Sequence, residues 1–197
     1  MVDKRRITIQ KLLPIVVLSV FIGLFDGVFS SGFAINSSAI RSLAGVKAVR
    51  VVAEELNPTM QKTGLRKEQL EGTAMEALRK NGFIVLGGQE PGKVPLVYVR
   101  LSSVFANDDG TGPISFYITL QIKRPATLVN GEPIATPQAK ANAGEPPLLV
   151  TTWEGGTMAI VNQEELFFYI KQTLLNLVGD LAHDHQEANT KQVSRSQ

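Results

Sequence analysis

The histidines and several carboxylates of this chain fall in one short stretch: His183-Asp184-His185, with Asp180 before it and Glu187 after. Imidazole and carboxylate are the ligands of zinc and the partners of acid–base catalysis. On a helix, however, positions two apart point about 200° from each other, so His183 and His185 cannot share an ion there. Asp180 with His183 or Asp184 supplies two ligands where a structural zinc site takes about four. The pattern therefore predicts a solvated helix end, with both histidines favoured by the negative end of the helix dipole, and no metal.

Other chemical signals are weaker. Asp108-Asp109-Gly110 lacks the set oxygen positions and distant glutamate of an EF-hand loop and reads as a tight turn. Gly87, Gly88 and Gly92 follow a strand but do not have phosphate-cradling spacing. No Gly-x-Ser-x-Gly sequence occurs, and Glu54-Glu55 and Glu164-Glu165 are neighbours that point apart. The sequence nominates no catalytic residue and no cofactor. Contact chemistry is better represented. Tyr98, Arg100, Tyr117, Gln121 and Trp153 lie on strand-like segments, and Phe168 and Leu175 stand off the main stripe of the last helix. These seven form a candidate partner surface, since aromatic and arginine side chains concentrate at interfaces. Packing competes as a role for Trp153, Phe168 and Leu175, which would half-bury the first and widen the core face with the others.

The elements that must position these residues follow from periodicity. Residues 46–56 (VKAVRVVAEEL) read as a first strand ended by Asn57 and Pro58. Residues 65–80 carry Leu70, Ala74, Ala77 and Leu78 at helical spacing, and Asn81-Gly82 closes that helix with Phe83 as the apolar contact beyond. Short strand 83–86 and longer strand 96–106 come next. Residues 114–123 alternate strictly, Ile114, Phe116, Ile118, Leu120 and Ile122 against Ser115, Tyr117, Thr119, Gln121 and Lys123, which is a half-buried strand in an antiparallel hairpin. Arg124-Pro125 interrupts the ladder, with 126–129 continuing at most as an edge. Residues 130–147, rich in proline and glycine, read as a mobile loop. Residues 148–153 form a last strand, and Glu154-Gly155-Gly156 turn out of it. Asn162 opens the final helix with Glu165 as capping-box partner; its core stripe is Phe167, Ile170, Leu174, Leu177, Val178 and Leu181. From Glu187 the tail, 187–197, is expected to be disordered. The result is one α+β domain over 43–186, β-α-β-β-β-β-α, with a mixed or antiparallel sheet of about five strands and two helices on one face.

Ahead of this domain lies a leader, residues 1–34. Lys4, Arg5, Arg6 and Lys11 precede an apolar run from Leu12 to Phe25, and small residues (SSGFA) follow. This is the layout of a secretory signal peptide. The run is shorter than the roughly 20 residues of a spanning helix, although Val28, Phe29, Phe33 and Ile35 could lengthen it into a tilted anchor in contact with the membrane. Either reading puts the domain outside the cytoplasm: periplasmic, or tethered to the inner membrane. The 20 Lys+Arg and 18 Asp+Glu of the whole chain become 16 of each once the leader's four basic and two acidic groups are set aside. With no net basic face, nucleic-acid binding loses its main support. The chain has no cysteine, which excludes disulfides, thiolate sites and lipid modification of a cysteine.

In the order and hydrophobic pattern of VKAVRVVAEEL, LRKEQLEGTAMEALRKNGF, the hairpin around NDDGTG, and LLVTTWEGG leading into QEELFFYIKQTLLNLVGDL, the chain resembles small exported α+β domains of bacterial envelope accessory proteins. The amino-terminal domain of TolB and the lipopolysaccharide-assembly lipoprotein LptE are of this kind. The resemblance implies an accessory or assembly role in the cell envelope; the missing lipoprotein cysteine departs from the LptE pattern. The expectation is a non-catalytic subunit acting through protein–protein contacts with envelope partners. Its alternatives are a carrier or sensor of a small or lipidic ligand held between the sheet and last helix, and a hydrolase.

Overall fold

The computed structural model describes residues 37–87, 94–107, 112–129, 132–135 and 148–193. The leader, the turn Asp108-Asp109-Gly110, Gly88 and Gly92, and most of the 130–147 loop lie outside the described residues. The elements are α1 (Ser37–Ser42), β1 (Ala48–Ala53), α2 (Pro58–Lys62), α3 (Lys67–Lys80), β2 (Ile84–Val85), β3 (Leu96–Phe105), β4 (Ile114–Val129), β5 (Glu132–Ala135), β6 (Leu148–Val161) and α4 (Leu166–Val193). None of these helices is long and apolar enough to cross a membrane.

The sheet is mixed. β1 runs parallel to β2 on one side and β3 on the other, while β3, β4, β5 and β6 pair antiparallel. Ala126 faces Ala135 of β5 and Leu148 of β6 at once, so those strands flank opposite edges of β4. Strict alternation in β4 puts Ile114, Phe116, Ile118, Leu120 and Ile122 in the core. Val97, Val99 and Leu101 of β3 join them on the same face. That inner face is covered by α3, through Leu70, Ala74, Ala77 and Leu78, and by α4. The α+β class and the helices on one face are as expected. So is the end of α3: Gly82 takes φ +85°, and Phe83 N–H donates to Leu78 O at 3.1 Å, the left-handed closure that glycine permits.

Several elements differ from the expectation, each for a physical reason. The stretch after Asn57 is not mere chain end: Asn57 Oδ1 accepts from Met60 N–H at 2.7 Å and Pro58 starts α2, seating Met60 in the core. β4 runs through Arg124-Pro125. There the pairing with β3 has ended at Lys123 and the pairing with β5 begins only at Ala126, so on that edge the ladder asks no donor of Pro125. Part of the supposed 130–147 loop, Glu132–Ala135, is strand β5.

β6 extends through Glu154-Gly155-Gly156 to Val161 instead of turning. The glycines are there for close approach. A Cβ on Gly155 would lie 3.0 Å from Trp153 and 3.4 Å from Leu177, and one on Gly156 only 2.7 Å from Tyr117 Oη. The capping box of Asn162 and Glu165 does not form. A 3-10 turn, Gln163–Glu165, precedes α4, and Asn162 makes no side-chain cap. The helix turns Leu166 inward, 3% exposed, and leaves Phe167 49% exposed, the reverse of the expected stripe start. α4 also continues to Val193, past the expected start of a tail at Glu187. Ala188 is buried, and Asn189 Oδ1 accepts from Gly45 N–H at 3.0 Å, which ties this end of the helix to the domain.

Candidate partner-binding face

Opposite the helices, the sheet presents a second face without a described helical layer. Antiparallel register sets its rows: Tyr98 is opposite Gln121, which is opposite Glu154; Arg100 faces Thr119 and then Gly156; Ser102 faces Tyr117 and then Met158; Val104 faces Ser115 and then Ile160. Directly opposed side chains on one face stand within about 5 Å at Cβ. Four of the expected surface residues, Tyr98, Arg100, Tyr117 and Gln121, are thus brought together.

The face is pre-arranged by charge and stacking. Lys123 Nζ sits 3.7 Å from the centroid of the Tyr98 ring, a cation–π contact. Arg100 Nε lies 3.1 Å from Glu54 Oε2 with both side chains well exposed. Partial burial, then the Glu54 charge and its hydrogen bond, hold the Tyr98 phenol above the ordinary tyrosine pKa, with Arg100 opposing. The Tyr117 phenol lies over Gly156, next to Thr119 Cγ2. Beneath it Thr119 is only 2% exposed, and its Oγ1 has no hydrogen-bond partner among the described residues. Such a face can stack, donate and accept hydrogen bonds.

The remaining expected surface residues fall elsewhere. Trp153 faces Ile122 on the inner side and is 1% exposed. It is a core residue and cannot reach a partner. Leu175 is half-buried against the core. Phe168 is 64% exposed on the first turn of α4, edge-on to Tyr169 with centroids 5.5 Å apart. Three apolar residues that sequence reasoning left out belong to the open face: Val104, Met158 and Ile160, 71%, 57% and 66% exposed. Val104 shares the parity of Tyr98 and Arg100 and was within reach. Met158 and Ile160 were hidden by reading the preceding Gly-Gly as a turn.

The His183-Asp184-His185 stretch is not a solvated helix end. It lies well inside α4, and its middle residue points inward, where Asp184 Oδ2 accepts from Trp153 Nε1–H at 2.8 Å. His185 Nε2 lies 2.6 Å from Val46 O, with its ring 4.7 Å from that of Phe83. His183 faces solvent. Helical rotation sends the three apart, and among the described residues no three His, Cys, Asp or Glu side chains gather as ligands. The described space between sheet and α4, where a small ligand was the alternative expectation, is filled by Trp153, Leu174, Leu177 and Val178, each at most 3% exposed.

The geometry defines an α+β domain with one packed and one open sheet face. No protein-family model and no curated protein matches the chain. Among solved structures it is similar to a minor lipoprotein from Acinetobacter baumannii, at 12% identity over 71% of this chain and 90% of that one, with a TM-score of 0.31. A likeness at that level defines neither the topology nor the role of this chain.

Proposed function

We propose that this protein is an exported, non-catalytic accessory or assembly subunit of the cell envelope that acts through protein–protein contacts. The observation that carries the reading is the open sheet face, on which Tyr98, Arg100, Tyr117 and Gln121 adjoin without a described second layer. The leader of residues 1–34 supports export, to the periplasm or tethered to the inner membrane. Aromatic and arginine side chains held by register, cation–π and ion-pair contacts lose little freedom when a partner docks.

The test is capture of partners from detergent-solubilised envelope on the tagged full chain, beside a Tyr98→Ala/Arg100→Glu variant. The reading expects an envelope protein recovered in stoichiometric amount by the wild type and lost from the variant. Recovery of the chain alone, or equal recovery by both, ends it. Amino-terminal sequencing of the native protein separates a free domain, starting near residue 35, from a tethered one that retains Met1.

A further inference from the structure

Among the described residues, two edges of the sheet, at β2 and at β6, are treated differently. On one side the sheet ends in β2, two residues long, and a very short edge strand offers little to pair with. On the other side lies β6, 14 residues long. Its first part is blunted. Thr152 is an extra residue between Trp153, opposite Ile122, and Thr151, opposite Lys123, a bulge of the kind that disrupts an edge. There Ser42 Oγ donates to Thr152 O at 3.0 Å, with α1 lying against this part of the strand.

Beyond Glu154 these devices stop. Residues 155–161 (GGTMAIV) carry no charge and no proline. Among the described residues no strand but β4 pairs with them, and no backbone hydrogen bond reaches them from elsewhere. Met158 and Ile160, both more than half exposed, stand on the open face of this same stretch.

We propose that residues 157–161 pair antiparallel with the same residues of a second copy of this chain, with Ala159 on the two-fold axis. That axis is chosen by the side chains. Met158 and Ile160 flank Ala159, so a two-fold through it sets each opposite the other across the join, twice over. Apolar cross-strand pairs are what stabilise such a ladder. The rows Val104–Ser115–Ile160 and Ser102–Tyr117–Met158 then continue into the second copy. On the inner face Thr157 meets Val161 and Ala159 meets Ala159. A neutral stretch brings no like charges together, and a two-fold join is self-complementary by symmetry. This pairing is separate from the envelope partner proposed above, which docks on the face and not on the edge.

The absence of cysteine makes the test direct, because one introduced thiol can link only to its own copy. Full-length Ala159→Cys in detergent, treated with a short thiol-to-thiol cross-linker, should give a covalent dimer, whereas Arg79→Cys on the far end of α3 should not. Adding Met158→Lys/Ile160→Lys should cut the cross-linked fraction roughly tenfold with an unchanged far-ultraviolet circular dichroism spectrum, since both side chains are exposed. An unlinked Ala159→Cys, or linking that survives the two lysines, overturns the proposal. Linking through Met158→Cys but not Ala159→Cys overturns the register. None of these outcomes depends on recovery of an envelope protein.

Discussion

Asp184 and Trp153 illustrate how much one buried hydrogen bond decides. A carboxylate 7% exposed and the chain's single tryptophan satisfy each other at 2.8 Å. Asp184→Ala leaves an indole N–H buried without an acceptor and should cost about 1–3 kcal/mol in urea unfolding. Asp184→Asn keeps an acceptor and should cost less than half as much. Thr119 presents the opposite case, a buried hydroxyl with no partner among the described residues. Thr119→Val should therefore raise stability by about 1 kcal/mol; a loss of stability would mean that the hydroxyl is satisfied after all. The Tyr98 phenol has its pKa raised by burial and by Glu54. Its folded value exceeds the unfolded one, so its contribution is complete below the ordinary tyrosine value near 10 and is lost as pH climbs through the raised value. The phenolate absorbance of wild type minus Tyr98→Phe should show that late midpoint.

At the scale of elements, β6 and α4 carry the tightest constraints. Gly155→Ala drives a methyl against Trp153 and Leu177 inside a packed interface and should destabilise by about 1–3 kcal/mol. Gly156→Ala meets the Tyr117 phenol, so its cost should shrink in a Tyr117→Ala background, a coupling that a double-mutant cycle measures. These glycines also show where the sequence stopped being legible. β3 and β4 were readable because alternation is a local signal, and the α3 stop because Gly82 and Phe83 are adjacent to it. Gly155-Gly156 has the composition of a turn; only Trp153, Tyr117 and Leu177, from three elements, reveal that small residues are needed inside a strand. Likewise nothing near Asp184 announces a tryptophan 31 positions away, so a core carboxylate was read as part of a solvated end. The helix beyond Glu187 was missed because its anchor is Gly45, at the other end of the domain.

For the molecule as a whole, the domain after residue 34 is balanced at 16 charges of each sign. Association through the neutral stretch of β6 should therefore vary little with salt. Raising ionic strength shortens the screening length from about 10 Å at 0.1 M to 3 Å at 1 M, yet the Ala159→Cys cross-linked fraction should stay nearly constant. A steep fall with salt would assign the contact to ion pairs instead. The open face and the open edge were only partly foreseeable. Tyr98, Arg100, Tyr117 and Gln121 shared a parity that could be read directly, whereas an edge is a property of strand order, which no local pattern encodes.

The brevity of β2 has a consequence for how far such an assembly can go. Two residues, Ile84 and Val85, offer too small a ladder to receive another chain, so recruitment of a further copy through β2 is closed off. Once two copies have joined along β6, their β2 ends offer no further template. Growth of the sheet from copy to copy through that flank is thereby blocked.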